Sequence, residues 1–346
     1  MKRILILMTG GTIASIPTED GLMPASDSVF RGFDYEKTIK TLYPMGEFDE
    51  DGIVLEWKEV FCLDSTNISP KEWARLALEI QTALSDISYD GIVVTHGTDT
   101  MAYTLAGIFY MLSNITKPVV FTGSQLPFDA PDTDAIKNLT DAIDVASSNQ
   151  KGIVLVFAGK IIDALCAKKV YSRQMAAFES INAEDVGEID ACGNVVWKHS
   201  PSVSVNIGMP DNTYLNICGD DVAKRISPCI RLMPGMSGDF IDNLVASGYR
   251  AIILEAFGCG GVPHNLLPFM IRATNNRVVV CIISQCLYDG TDLSVYQVGI
   301  EAKKAGVITA GMMTVEALSA KIMWALSQSD DYDTVVSLLK KDTRRL

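Results

Sequence analysis

Histidine is scarce in this chain: His96, His199 and His264 are the only three, and they stand far apart. No HxxxH or HExxH spacing exists, so a zinc site of the usual kind is not written into the sequence. No two cysteines stand in CxxC spacing, and no apolar run approaches the roughly 18 residues of a membrane-crossing helix. Basic clusters are also missing, apart from Lys168-Lys169, Lys303-Lys304 and a tail with Lys340-Lys341 and Arg344-Arg345. With a net charge of −13, the surface repels phosphate backbones, which argues against a nucleic-acid partner. The start, Met1-Lys2-Arg3 before Ile4-Leu5-Ile6-Leu7-Met8, has the charge of a secretory signal. Its apolar part stops at Thr9-Gly10-Gly11, short of the roughly 7–15 residues such a region uses, and no small-residue cleavage site follows. The expectation is a first buried strand in a cytoplasmic protein, with no membrane partner.

What is present is an ordinary globular balance: 346 residues, 48% hydrophobic and 21% charged. That length suits two domains, or one large one, and buries a core without disulfides or metals. Eight cysteines in a chain of this size read as mostly buried, reduced thiols rather than a disulfide framework.

Short apolar runs at Arg3–Met8, Gly91–Thr95, Val119–Thr122 and Ile153–Phe157 fit strands of a parallel sheet covered on both faces. Amphipathic helices lie between them. One begins at Ser69, with Pro70 at N1 and Glu72 completing a capping box. Trp73, Leu76, Ala77, Ile80 and Leu84 then repeat at helical spacing. A second follows Asp99, with Met101, Leu105, Ile108 and Leu112 on one face. Periodicity fades from Asp185 to Ser227. Beyond it, Ala251–Leu254 and Val278–Ile283 read as strands, and Thr314 caps a helix from Val315 to Leu326. The expected fold is α/β with two domains, a larger N-terminal and a smaller C-terminal one, each a mainly parallel sheet flanked by helices. The boundaries are placed at 1–190, a linker at 191–225, and 226–346.

In open α/β sheets, ligands bind beyond the carboxyl ends of the strands. Four such ends carry unusual residues. Thr9-Gly10-Gly11-Thr12 puts two glycines and then a hydroxyl after the first strand, yet matches neither GxxxxGK[ST] nor GxGxxG. Taken alone it reads as a tight turn. Leu63-Asp64-Ser65 is a polar loop or a grip for an ammonium and a carboxylate. His96-Gly97-Thr98-Asp99 offers caps, or an activatable hydroxyl beside an anion; His96 by itself is more often structural. Thr122-Gly123-Ser124-Gln125 is rich in small hydroxyl residues. Lys168 and Lys169 read as surface charges, or as a base if one is buried beside hydroxyls.

Jointly, these segments resemble a family. Thr-Gly-Gly-Thr-Ile-Ala-Ser at 9–15, His-Gly-Thr-Asp-Thr-Met at 96–101 and Thr-Gly-Ser-Gln-Leu-Pro at 122–127 are similar to the bacterial-type L-asparaginases, in particular their type I, cytoplasmic branch. The resemblance spans essentially the whole chain. It implies hydrolysis of L-asparagine to L-aspartate and ammonia through a β-aspartyl-enzyme ester, with no cofactor or metal, in a homodimer or homotetramer. Thr12 matches the family's nucleophile. Thr98, Asp99 and Lys169 match its hydroxyl-aspartate-lysine group, Lys169 rather than Lys168 by position relative to Phe178. Asp64, Ser65 and Asp99 match residues that hold the substrate's α-amino and α-carboxylate groups; Gly11, Thr98 and Ser124 join them as expected substrate contacts.

Two positions depart from the pattern. Many members carry a tyrosine where Leu22 stands, in a loop from Ile16 to Phe30 expected to close over the substrate. Tyr296 is the expected replacement hydroxyl, and Tyr35 a weaker one. Lys168 stands where an allosteric relative has threonine. The rival readings are an amidotransferase component acting on tRNA, a non-catalytic asparagine or aspartate sensor, and a nucleotide-binding protein.

Overall fold

The computed structural model describes residues 1–19, 21–24, 52–202 and 225–341. Two compact units emerge. The first holds the described residues of 1–180 and 184–202, the second those of 181–183 and 225–341.

The first unit is built on β1 (Lys2–Gly10), whose run from Ile4 onwards is buried on both faces. Alternation along the strand explains this: Ile4, Ile6 and Met8 enter one core with Val93, Val120 and Val154, while Leu5 and Leu7 point the other way. A short antiparallel pair follows, β2 (Ser15–Thr18) and β3 (Gly21–Pro24). Then come β4 (Ile53–Leu63), β5 (Gly91–Thr95), β6 (Pro118–Thr122), β7 (Gly152–Phe157) and β8 (Lys160–Asp163). The hairpin β9 (Ala167–Lys169) and β10 (Phe178–Ser180) forms its own two-stranded sheet, and β11 (Gly187–Ile189) and β12 (Val195–Trp197) complete the large one. Its order is β12-β11-β8-β7-β6-β5-β1-β4. The pairs from β4 to β7 are parallel and those beyond β7 antiparallel. Part of the stretch read as a linker thus supplies the sheet's outer strand, and 203–224 lie outside the described residues.

Helix α1 (Pro70–Ser85) starts as its local sequence dictates. Ser69 and Glu72 exchange the two bonds of a capping box, and Trp73, Leu76, Ala77, Ile80 and Leu84 are buried. Helix α2 (Met101–Met111) differs from the one-faced helix expected: all but Tyr103 of its residues are buried. It is a core helix, held to α1 where the Trp73 indole N–H donates to Thr104 Oγ1 at 3.0 Å. Gly107 makes room there, since a Cβ would fall 2.6 Å from the Trp73 ring. Helix α3 (Ala135–Ala146) packs on β5, β6 and β7 through Leu139, Ala142 and Ile143.

The second unit is a four-stranded parallel sheet in the order β13 (Ile226–Arg231), β14 (Ala251–Ala256), β15 (Val279–Ser284) and β16 (Ile308–Thr309). Helices α4 (Asp239–Ala246), α5 (Leu267–Asn275) and α6 (Gln297–Lys304) connect the strands, and α7 (Val315–Gln328) and α8 (Tyr332–Lys340) follow. Thr314 caps α7 by accepting from the Ala317 amide at 3.1 Å. Ile252, Leu254, Val280 and Ile282 centre its core.

The cysteines differ from expectation in burial. All seven among the described residues are free thiols, but only Cys166 and Cys281 are buried, and Cys192, Cys259 and Cys286 are exposed. Strand ends and turns, where these three lie, leave even an apolar side chain in water. Burial pushes the Cys281 thiol up to about 12, with nearby Lys321 acting the other way.

Candidate active site

The four motifs stand side by side because β4, β1, β5 and β6 are consecutive in the sheet. From β1 the chain moves first to β4 on one side, then to β5 on the other. The strand order reverses at β1, which is where α/β sheets open a ligand crevice.

Two glycines let the β1 end fit there. Gly10 has φ +96° and a Cβ on it would lie 2.6 Å from the Leu63 backbone; Gly11 has φ +78° and would place a Cβ 2.3 Å from Gly97. Gly97 is itself pressed between Gly11 and Ser65, its would-be Cβ 2.6 Å from Ser65 Oγ. The chain then makes a 3-10 turn over Thr12–Ala14 that buries Ile13 and Ala14 and leaves Thr12 half-buried. Ser15 Oγ closes the turn on the Gly11 carbonyl at 2.9 Å.

Beyond β5, Thr98 is buried and Asp99 exposed. Lys169 reaches them from the β9–β10 hairpin, where it pairs with Phe178 and Lys168 stands opposite Glu179. Its Nζ donates to Thr98 Oγ1 at 2.7 Å and to Asp99 Oδ1 at 2.6 Å. The Lys169 side chain is 16% exposed and that of Asp99 57%, so the ammonium is drawn inward while the carboxylate keeps a face to solvent. Asp64 Oδ1 accepts from the Thr66 amide and hydroxyl at 2.8 and 2.7 Å, capping the turn after β4. Ser65 is buried, and its carbonyl accepts from Thr100 Oγ1 at 2.7 Å. Ser124 is buried too, its hydroxyl donating to the Leu126 carbonyl within its own turn.

His96 lies completely buried beneath this row. Its Nδ1 sits 2.7 Å from the Gly97 carbonyl, and since a carbonyl only accepts, Nδ1 carries the hydrogen. Nε2 has no hydrogen-bond partner. Burial pulls its pKa down to about 4, against the weaker pull of the Gly97 carbonyl. The imidazole is neutral and structural.

The structure thus brings Gly11, Thr12, Asp64, Ser65, Thr98, Asp99, Ser124 and Lys169 to one end of one sheet. Leu22 is exposed on β3, opposite Pro17. Tyr296 belongs to the second unit, where it precedes α6 with its ring exposed. Tyr35 and most of the 16–30 loop beyond the β2–β3 pair lie outside the described residues. Three residues to which the motifs gave no role also build the site: Gln125, which bonds Thr98, and Asp134 and Asn138, which support its turn. Among the described residues, no group of three or more His, Cys, Asp or Glu could hold a metal ion.

Residues 3–203 match the family described as "Asparaginase, N-terminal", and residues 228–339 match "Glutaminase/Asparaginase C-terminal domain". The chain belongs to the asparaginase family. It is 36% identical to an L-asparaginase of Thermococcus kodakarensis, covering 98% of this chain and 97% of that one. It is also 34% identical to a component of the glutamyl-tRNA(Gln) amidotransferase of Pyrococcus furiosus, covering 96% of this chain and 73% of that one. The solved structure of the thermostable L-asparaginase from Thermococcus kodakarensis matches with a TM-score of 0.81 at 35% identity, over 99% and 98% of the two chains. None of the described helices is long and apolar enough to cross a membrane.

Proposed function

We propose that this protein hydrolyses L-asparagine to L-aspartate and ammonia, with Thr12 as nucleophile. The observation that carries the reading is the Lys169–Thr98–Asp99 cluster one strand away from Thr12, with Gly11 against Gly97 in between. A threonine hydroxyl is a weak nucleophile and needs a base within reach. Thr12 Oγ1 attacks the side-chain amide carbon while its proton passes to the leaving nitrogen. Backbone N–H groups around Thr98 steady the oxyanion, each worth on the order of 3 kcal/mol. Ammonia departs from a β-aspartyl ester on Thr12. Water then attacks the ester, its proton passing by way of Thr98 to Lys169; the Thr12 oxygen takes a proton back from the relay as it leaves, which frees aspartate and restores both groups. Asp99 and Asp64 hold the α-ammonium, and Gly11, Ser65 and Ser124 line the carboxylate side. Leu22 offers no hydroxyl, and Tyr296 is assigned the polarising role in its place. We further assign a cytoplasmic homodimer or homotetramer.

Ammonia release from L-asparagine tests this. Thr12→Ala is expected to lower turnover at least about 10³-fold, and Lys169→Met about 10²–10⁴-fold. Wild-type rates in Thr12→Ala would remove the nucleophile assignment.

A second reading, a component of a tRNA-dependent amidotransferase, has support in the likeness to the Pyrococcus furiosus protein over 73% of its length. The net charge of −13 weighs against a tRNA partner. Copurification of a second chain with bound RNA would favour it.

A further inference from the structure

Gln125 bonds to both arms of the relay. Its Nε2 donates to the Gln174 carbonyl at 3.0 Å, in the turn of the hairpin that carries Lys169. A carbonyl can only accept, so the NH₂ end of the amide must face Gln174 and the oxygen must face Thr98. Thr98 Oγ1 lies 3.2 Å from that oxygen and donates to it. The charged Lys169 has donors only, so Thr98 accepts from Lys169 and passes its own hydrogen to Gln125. The three groups form one directed chain, ammonium to hydroxyl to amide oxygen, in which each bond polarises the next.

Gln125 is in turn firmly held. Its backbone N–H donates to both Asp134 oxygens, at 3.1 and 2.9 Å, and the Leu126 N–H to one of them at 3.0 Å. Asp134 opens α3 without capping it. Asn138, 1% exposed, donates to Asp134 and to the Gly123 carbonyl and accepts from the Ala158 amide at the end of β7.

We propose that Gln125 is a positioning residue of the relay: its carbonyl receives the Thr98 hydroxyl and so favours the charged, Asp99-paired state of Lys169, while its NH₂ clamps the Lys169 hairpin at Gln174. Its link to the reaction rests on the hydrolase reading above. With Lys169 charged the relay is closed. When Lys169 loses its proton, the Thr98 hydroxyl turns from Gln125 to Nζ. The attacking water then gives its proton to Thr98 as Thr98 gives its own to Lys169. Among the described residues, Asp99 pairs with Lys169, Lys168 and Glu179 face each other in the hairpin register, Arg173 follows in the hairpin's turn, and Asp134 lies behind Gln125. Substitutions at Gln125 remove none of these charges, and Gln125→Glu adds one beside Thr98.

Two variants separate the bonds. Gln125→Leu removes both, whereas Gln125→Glu keeps an acceptor for Thr98, now charged, and loses the donor to Gln174. Competitive acetylation across pH, read by mass spectrometry at Lys169, gives its titration midpoint with no need for activity. The midpoint is expected to move down in Gln125→Leu and up in Gln125→Glu, by about half to one pH unit. The acid limb of kcat for ammonia release follows each shift, and amide exchange at 170–177 quickens in both variants. Midpoints that stay together, or move the same way, overturn the proposal, as does unchanged exchange in Gln125→Leu. Split midpoints in a protein that releases no ammonia would sink the hydrolase reading and leave Gln125 assigned. Ammonia release with unsplit midpoints would do the reverse.

Discussion

At the scale of single residues, His96 shows how a site can depend on a group that does no chemistry. Held neutral by burial at a pKa of about 4, it takes a proton far more readily once the chain unfolds, where its value returns to about 6.5. Between those two pH values the unfolded chain binds more protons than the folded one, so stability falls as pH drops through that window and levels off below it. The full cost is on the order of 3 kcal/mol. His96→Asn retains a donor for the Gly97 carbonyl but cannot titrate. Urea midpoints at pH 7 and pH 4.5 are expected to fall further apart in the wild type than in His96→Asn, and equal differences would remove His96 as the cause. The sequence favoured a structural role for this residue but hid its depth. A lone histidine at a strand end looks the same whether it is a base or a packed core ring, and only its depth tells them apart. Gln125 was hidden similarly. Its letters lie inside a motif, but its importance comes from Thr98 and Gln174, 27 and 49 positions away.

At the scale of elements, strand ends set distances that side chains cannot adjust. Gly11 and Gly97 bring neighbouring backbones together with no room for a methyl group, so the Thr12 and Thr98 segments are spaced by the sheet. Gly97→Ala would set its Cβ 2.6 Å from Ser65 Oγ and 3.1 Å from Gly11 Cα. Overpacking of this kind costs about 1–3 kcal/mol, and small displacements at reacting atoms cost about 10²-fold in rate. The expected outcome is a folded protein with lowered thermal midpoint and about 10²-fold lower kcat; wild-type turnover would show that this spacing does not matter. Elements whose signal is local were legible in advance. The capping box at Ser69 and Glu72, the cap at Thr314 and the apolar runs of β1, β5, β6 and β7 each declare themselves within a few residues. The hairpin did not. Its strands span three residues each, too short for any alternation to register, and the bond it delivers joins positions 71 apart. Only the family resemblance brought Lys169 to Thr98 from sequence. Helix α2 was misread as one-faced because an all-round apolar helix carries little periodicity.

At the scale of the whole molecule, the two α/β units were legible because the same alternation of buried strand and helix occurs on either side of a stretch without it. Burial of the cysteines was not legible, because a thiol sits comfortably on either side of the surface.

The site is also unequally anchored. Thr12 and Thr98 hang from strands in the middle of an eight-stranded sheet, whereas Lys169 rides on an arm of two strands, a form that on its own is barely stable in water. Damage should therefore begin at the arm. In rising urea, turnover is expected to vanish at a lower concentration than far-UV ellipticity does, and coincident midpoints would show that arm and sheet fail together. If the order holds, the protein has a fuse: mild stress disconnects the base and silences the enzyme while the sheet stays folded, so that restoring the solvent restores activity without refolding the chain.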